Sequence, residues 1–275
     1  MDKLGPSFHR TFTLSRPAVA DIIRLVREHQ DESVPGRVLN FNLITAETTL
    51  GPVYISSMRR YAVATGVVDE QERLKPFGRI LCDKDPGLQS TASCWVMHYY
   101  LCCPHGIGPA FWFSTIAKFF RPGDEIDRRQ ISEHIAEEVR ATEGTISQQT
   151  ALQTATVLLG TYAKSDALGP LGMLEPLEAG RYLVKEPSCP SLWTFAFILA
   201  DYWIANWGEV PGVNLNRVSE AGGPGSILFM GSGAINKALG ELQAAGFATV
   251  QRRTPPFQLN RNWSNFSQFV DKIYD

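Results

Sequence analysis

In the run LGPVYISSMRRYAVATGVVD, residues 50–69, a Gly-Pro turn precedes two serines and two adjacent arginines. Arginine pairs with guanine O6 and N7 or with phosphate, and serine hydroxyls bond phosphate oxygens. Tyr54, Ser56, Ser57, Arg59 and Arg60 therefore make a candidate DNA-contacting set. The run that follows, ERLKPFGRIL, reads as a short hairpin that places Lys75 on a flanking phosphate. A second basic set, Arg252, Arg253 and Arg261, surrounds a Pro-Pro turn in residues 248–263. It reads as another hairpin carrying cations beside a helix.

Other residue groupings point to weaker chemistry. CWVMHYYLCCPH sets Cys94, His98 and Cys102 at four-residue spacing, with Cys103 and His105 beyond. Zinc sites favour four convergent ligands and CxxC-like spacing, so these residues read as core and no metal is expected. Gln148, Gln149 and Gln153 could reach adenine edges, but no Lys or Arg supports them and packing is the simpler reading. EAGGPGSILFMGSGAINK lacks the Gly-Lys-Ser/Thr ending of a phosphate-binding loop, and no cofactor is expected. Asp201 lies inside the aromatic run LWTFAFILADYWIANW. Burying it unpaired would be costly, which predicts a hydrogen-bond partner rather than a catalytic role.

Composition narrows the classes. The 275 residues are 44% apolar, which suits a folded chain with a sizeable core. The longest apolar run is short for a membrane span, and the first residues lack the pattern of a signal peptide. Five cysteines without CxxC spacing argue against a disulfide framework, and a reduced cytoplasmic setting is expected. The formal net charge is -2, so DNA contact would have to be local. Residues 81–210 carry 9 Lys/Arg against 15 Asp/Glu, whereas the two flanking stretches are mildly basic.

The elements that must position these residues are mostly helical. SRPAVADIIRLVREHQ has a one-sided apolar pattern behind Ser15 and Pro17, and RVLNFNLITAETT reads as a second short helix. In residues 50–69, Ile55, Met58, Ala62 and Thr65 predict an inward stripe on a helix ending at Gly66. Helix, turn, helix and hairpin together describe a winged helix-turn-helix. In the middle, two aromatic helices precede RRQISEHIAEEVRA, capped by Asp124 or Asp127, and a helix capped by Ser147. LGMLEPLEAGRYLV reads as an extended connector. The last stretch again reads as helix plus hairpin, with a left-handed turn at Gly246. The expected fold is mainly α with short β-hairpin wings: tandem winged modules around an aromatic helical centre. The expected boundaries are 1–85, 86–187 and 188–275.

Six blocks in order resemble one family: FHRTFTLS, ISSMRRYAVATGVV, LKPFGRIL, STASCWVMHYYLCC, SQQTALQTATVLLGTYA and TFAFILADYW. They are similar to the bacterial domain-of-unknown-function family numbered four thousand and seven. Genes of that family lie beside phosphoadenosine-phosphosulfate-reductase-like sulfurtransferases in DNA phosphorothioation and phage-defence loci. The resemblance implies an accessory role in that system. Its partners would be double-stranded DNA, a sulfurtransferase of that kind and other subunits of the locus. The expected function is a non-enzymatic DNA-binding or scaffolding subunit. The alternatives are a protein-protein adaptor that never touches DNA and an enzyme, either nuclease or sulfurtransferase.

Overall fold

Ser15 and Pro17 open the first helix, α1 (Arg16–His29), with the Ala18 amide on the Ser15 hydroxyl at 3.5 Å. The computed structural model describes residues 3–29, 41–142 and 144–275. Helix α2 (Phe41–Glu47) forms the centre of the short helix expected at 37–49, and residues 37–40 lie outside the described ones. Gly51 is extended and Pro52 is pre-set for a first helical turn, so α3 (Pro52–Ala64) starts where the sequence indicates. It ends at Thr65, and Gly66 takes a left-handed φ of 72°.

The hairpin expected after α3 exists only in miniature. Val68 and Leu74 make one antiparallel bridge, closed by Asp69, whose carboxylate accepts the Gln71 and Arg73 amides at 2.9 and 2.8 Å. From Pro76 onward the expectation of a wing is wrong: α4 (Pro76–Lys84) is a helix. Pro76 sits at its first position, and Phe77, Ile80 and Leu81 bury one face. Gly78 lets α4 approach the Val67 carbonyl, which a Cβ would meet at 2.1 Å.

Helix α5 (Thr91–Cys102), capped by Ser90, is buried at every residue from Ser93 to Cys102. A helix without a polar face belongs at the centre of a fold. Its N-terminal half meets α4 and the chain's far end. Ser93 donates to the Asp85 carboxylate at 2.5 Å and accepts from the Tyr274 hydroxyl at 2.8 Å.

After α5 the chain repeats one topology twice. The first copy is α6 (Ala110–Ser114) with a π-helical turn to Phe119, β1 (Glu125–Asp127), α7 (Arg128–Thr142), α8 (Gln148–Ala163), β2 (Leu174–Pro176) and β3 (Arg181–Val184). The second is α9 (Leu192–Trp207), β4 (Gly212–Asn214), α10 (Pro224–Ile227), α11 (Ser232–Ala244), β5 (Ala248–Gln251) and β6 (Gln258–Arg261). Both sheets are antiparallel with the last strand in the middle, in the orders β1-β3-β2 and β4-β6-β5. Ile126 stands opposite Tyr182 in one and Val213 opposite Leu259 in the other. A short α12 (Ser267–Val270) follows and packs on α9.

Asp127 caps α7 reciprocally. Its carboxylate accepts the Gln130 amide at 2.9 Å, and the Gln130 side chain accepts the Asp127 amide at 2.8 Å. Ser147 caps α8 in the expected way, accepting the Thr150 amide at 3.1 Å. The extended connector at 171–184 is instead the β2–β3 hairpin, reversed where Ala179 and Gly180 have φ of 57° and 73°. One apolar cluster runs without a break from Phe8 to Ile273. Among the described residues no helix is long and apolar enough to cross a membrane.

Candidate nucleic-acid interface

Helix α3 turns Ile55, Ser57, Met58, Tyr61 and Ala62 inward. Ser57 is therefore not on the outer face where the sequence pattern puts it. Its hydroxyl donates to the His9 carbonyl at 3.0 Å and to the Val53 carbonyl at 3.2 Å, tying α3 to the N-terminal segment. Tyr61 does the same through the Phe12 carbonyl at 3.1 Å. Tyr54 is half-buried and packs edge-on against Phe12 with ring centres 5.1 Å apart.

Arg59 is also engaged internally. Its guanidinium makes two parallel bonds to Glu72, Nε to Oε1 at 2.8 Å and Nη2 to Oε2 at 2.6 Å. The two side chains are only 12% and 7% exposed, so this fork fixes the miniature hairpin against α3. Of the five α3 residues singled out from sequence, Arg60 is exposed and Ser56 half-exposed on the outer face. Lys75 stands at the foot of the hairpin with Nζ 5.1 Å from the Tyr100 ring centre.

The C-terminal set divides in a similar way. Arg261 is half-buried and donates to the Glu209 and Ser264 carbonyls at 3.0 and 3.4 Å, closing the β6 end of the sheet. Arg252 and Arg253 are exposed at the end of β5. Arg252 reaches α11, donating to the Asn236 side-chain oxygen at 2.7 Å. Lys237 is next to Asn236 and 80% exposed, with Glu241 one turn on at 4.0 Å. Hairpin arginines and helix polar groups thus share one surface. Sequence reading found Arg252 and Arg253 but missed Asn236 and Lys237. The signal was there: Ile235, Ala238, Leu239 and Leu242 are the buried stripe of α11, which leaves positions 233, 236, 237, 240 and 244 on its outer face.

Most buried polar groups of the centre are mutually satisfied, the Trp95 indole nitrogen being an exception. Asp201 has the partners its position demands: Tyr99 donates to Oδ2 at 2.7 Å and Tyr100 to Oδ1 at 3.0 Å. His105 Nε2 lies 3.3 Å from Oδ2, and Asn206 donates to Nδ1 at 2.8 Å, so the imidazole proton sits on Nε2. His98 donates from Nε2 to the Ile227 carbonyl at 2.8 Å and accepts the Tyr162 hydroxyl on Nδ1 at 2.8 Å. Tyr162 in turn accepts from Trp112 at 3.1 Å. Burial pushes the His98 imidazole down to about 4, and His9 to the same range for the same reason. Burial raises the Cys102 and Cys103 thiols, so neither is a ready thiolate nucleophile. Among the described residues no group of three or more His, Cys, Asp or Glu could hold a metal ion.

No curated protein matches the chain significantly. Two solved structures share its fold, titled "Magnesium ion-bound SspB crystal structure" and "SspB crystal structure". Each has a TM-score of 0.77 and covers 98% of this chain and 86% of that chain, at 16% and 17% identity. The sequence profile of one family matches residues 7–274, nearly the whole length, and so the chain belongs to the family described as "Protein of unknown function (DUF4007)".

Proposed function

We propose that the chain is a DNA-contacting scaffold subunit of a bacterial DNA phosphorothioation and phage-defence system. The two topological repeats are read as winged helix-turn-helix modules, and the first 85 residues as a third with a reduced wing. The observation that carries the reading is the shared surface of Asn236, Lys237, Arg252 and Arg253. It places a helix face and a cationic hairpin side by side, the arrangement that lets a helix enter a groove while the wing meets phosphate. Arg60 and Ser56 on α3 add a second contact. The place in phosphorothioation rests on the six sequence blocks and the family membership they anticipate. In this reading the chain works in the cytoplasm, positions DNA for a sulfurtransferase partner and makes or breaks no bond itself.

The test is duplex binding measured against salt. Each phosphate neutralised contributes about 0.9 to the log-log slope. Arg252→Ala with Arg253→Ala should weaken binding at least about tenfold at moderate salt and flatten the slope by about 2. Nicking of supercoiled plasmid by the purified chain would overturn the non-enzymatic half of the proposal. A protein-protein adaptor without DNA contact is the competing reading, and one observation favours it. Ser57 and Arg59, two of the five candidate contacts on α3, serve the fold. Absence of salt-dependent duplex binding by the parent chain would leave that reading standing, and unchanged binding by the double variant would move the DNA contact away from Arg252 and Arg253.

A further inference from the structure

A groove of about 910 Å³ lies between α7, α8 and the turn of the β2–β3 hairpin. Its α7 wall is a ridge at four-residue spacing, Arg128, Ser132, Ala136 and Arg140. Its apolar lining is Ile146, Leu152 and Tyr182, each half-buried, and the carboxylates of Asp127 and Glu133 line it too. Arg128 and Arg140 are exposed, and among the described residues neither enters an ion pair. Arg129, next to Arg128, is already held by Glu133 at 3.0 Å. Twelve positions of helix separate the two open arginines, a span of about 18 Å at the α-helical rise.

Helix α8 occupies the place of a groove-entering helix in its module, but from Gln148 to Ala163 it carries no Lys or Arg. Duplex affinity depends on phosphate neutralisation, which this helix does not supply. Residues 86–187 as a whole hold 8 Lys/Arg against 11 Asp/Glu, so a duplex finds no continuous cationic track here. Asp127 and Glu133 are engaged by Gln130 and Arg129, so two open arginines at the ends of a partly apolar groove instead match a ligand with carboxylates at two fixed points and apolar side chains between them. An amphipathic helix laid in a groove has that form.

The geometry points to this groove as the docking site for an acidic amphipathic helix of a partner protein. The partner's apolar face lies on Ile146, Leu152 and Tyr182, and a carboxylate near each end meets Arg128 and Arg140. This surface is separate from the proposed DNA contact at α11, so either can fail without the other.

The experiment is selection of a displayed library of helix-forming peptides of random surface on the full chain. Winners are resynthesised and titrated by fluorescence anisotropy. The expected winners carry Glu or Asp about three turns apart, flanking Leu or Ile. Their affinity should fall at least tenfold for Arg128→Glu with Arg140→Glu, and also for Leu152→Gln, while circular dichroism and melting stay at parental values. Winners without acidic enrichment, binding unaffected by the charge reversal, or no winners at all would overturn the proposal. So would loss of duplex DNA binding, or loss of self-association, in the charge-reversed protein. Those outcomes would assign the groove to nucleic acid or to a second copy of this chain.

Discussion

Helices α8 and α11 hold the same place in two copies of one topology, yet their surroundings differ. α8 buries eight residues, among them Tyr162, whose hydroxyl joins His98 to Trp112. α11 buries only Ile235, Ala238, Leu239 and Leu242 and leaves a polar face beside Arg252. The strand order is common to both copies, so topology alone does not decide what a module touches. Burial decides it: most of α8 is enclosed by its own chain, which leaves a ligand only the residues of its outer side, Leu152 among them, and its buried polar groups are committed to one another.

The largest effect that would sharpen this comparison is expected at Tyr162. Tyr162→Ala removes a fully buried aromatic ring, leaves the Trp112 indole unpaired and leaves His98 Nδ1 with only the Cys102 thiol at 3.7 Å. A loss of about 3–5 kcal/mol is expected in denaturant titration. A loss below about 1 kcal/mol would show that α8 is not the enclosed member of the pair.

Acid should act on the same enclosed region. His98 and His9 are neutral when folded, with pKa values lowered from 6.5 to about 4 by burial. The unfolded chain takes up the proton first as pH falls. Stability is therefore complete above about pH 6.5 and is lost between there and about pH 4, by roughly 3 kcal/mol for each histidine. Melting temperature followed from pH 7 to 4.5 checks this. His98→Gln should flatten that dependence, and an unchanged slope in the variant would remove His98 from the account.

The two mid-helix glycines give the smallest effects and the cleanest contrast. A Cβ at Gly160 in α8 would sit 2.6 Å from Thr13 Cγ2, so Gly160→Ala should cost about 1–3 kcal/mol. A Cβ at Gly240 in α11 meets nothing, and Gly240→Ala should stabilise by about 0.5–1 kcal/mol. The same substitution thus changes sign between equivalent helices. Equal effects at the two sites would break the comparison.

Local signals in the sequence were legible where one short-range interaction sets the structure. Ser147 and Asp127 cap helices, Gly66 and Gly246 turn left-handed, and the β5–β6 hairpin follows its Pro-Pro turn. The β2–β3 hairpin was not legible, because strands of three and four residues with only Leu174 and Val184 buried show no alternation. The run from Pro76 was misread because a helix of nine residues and a hairpin arm share the same few apolar positions. Within the candidate interface, Arg252 and Arg253 could be found from charge and turn residues. That Ser57 faces His9, 48 positions away, and that Glu72 holds Arg59 depends on tertiary packing, which periodicity does not encode. The need of Asp201 for partners followed from desolvation, but Tyr99 and Tyr100 lie about a hundred positions earlier.

Tyr274 closes onto Ser93 across 181 residues of chain. On the ribosome, at roughly 5–20 residues per second, the two segments are made about 10–40 s apart. Throughout that interval α5 has emerged with an apolar surface on every side and no C-terminal residues to cover it. The nascent chain therefore carries an adhesive central helix for far longer than a helix takes to form. Its yield in the cell is expected to depend on whatever shields that helix during synthesis more than on the stability of the finished fold.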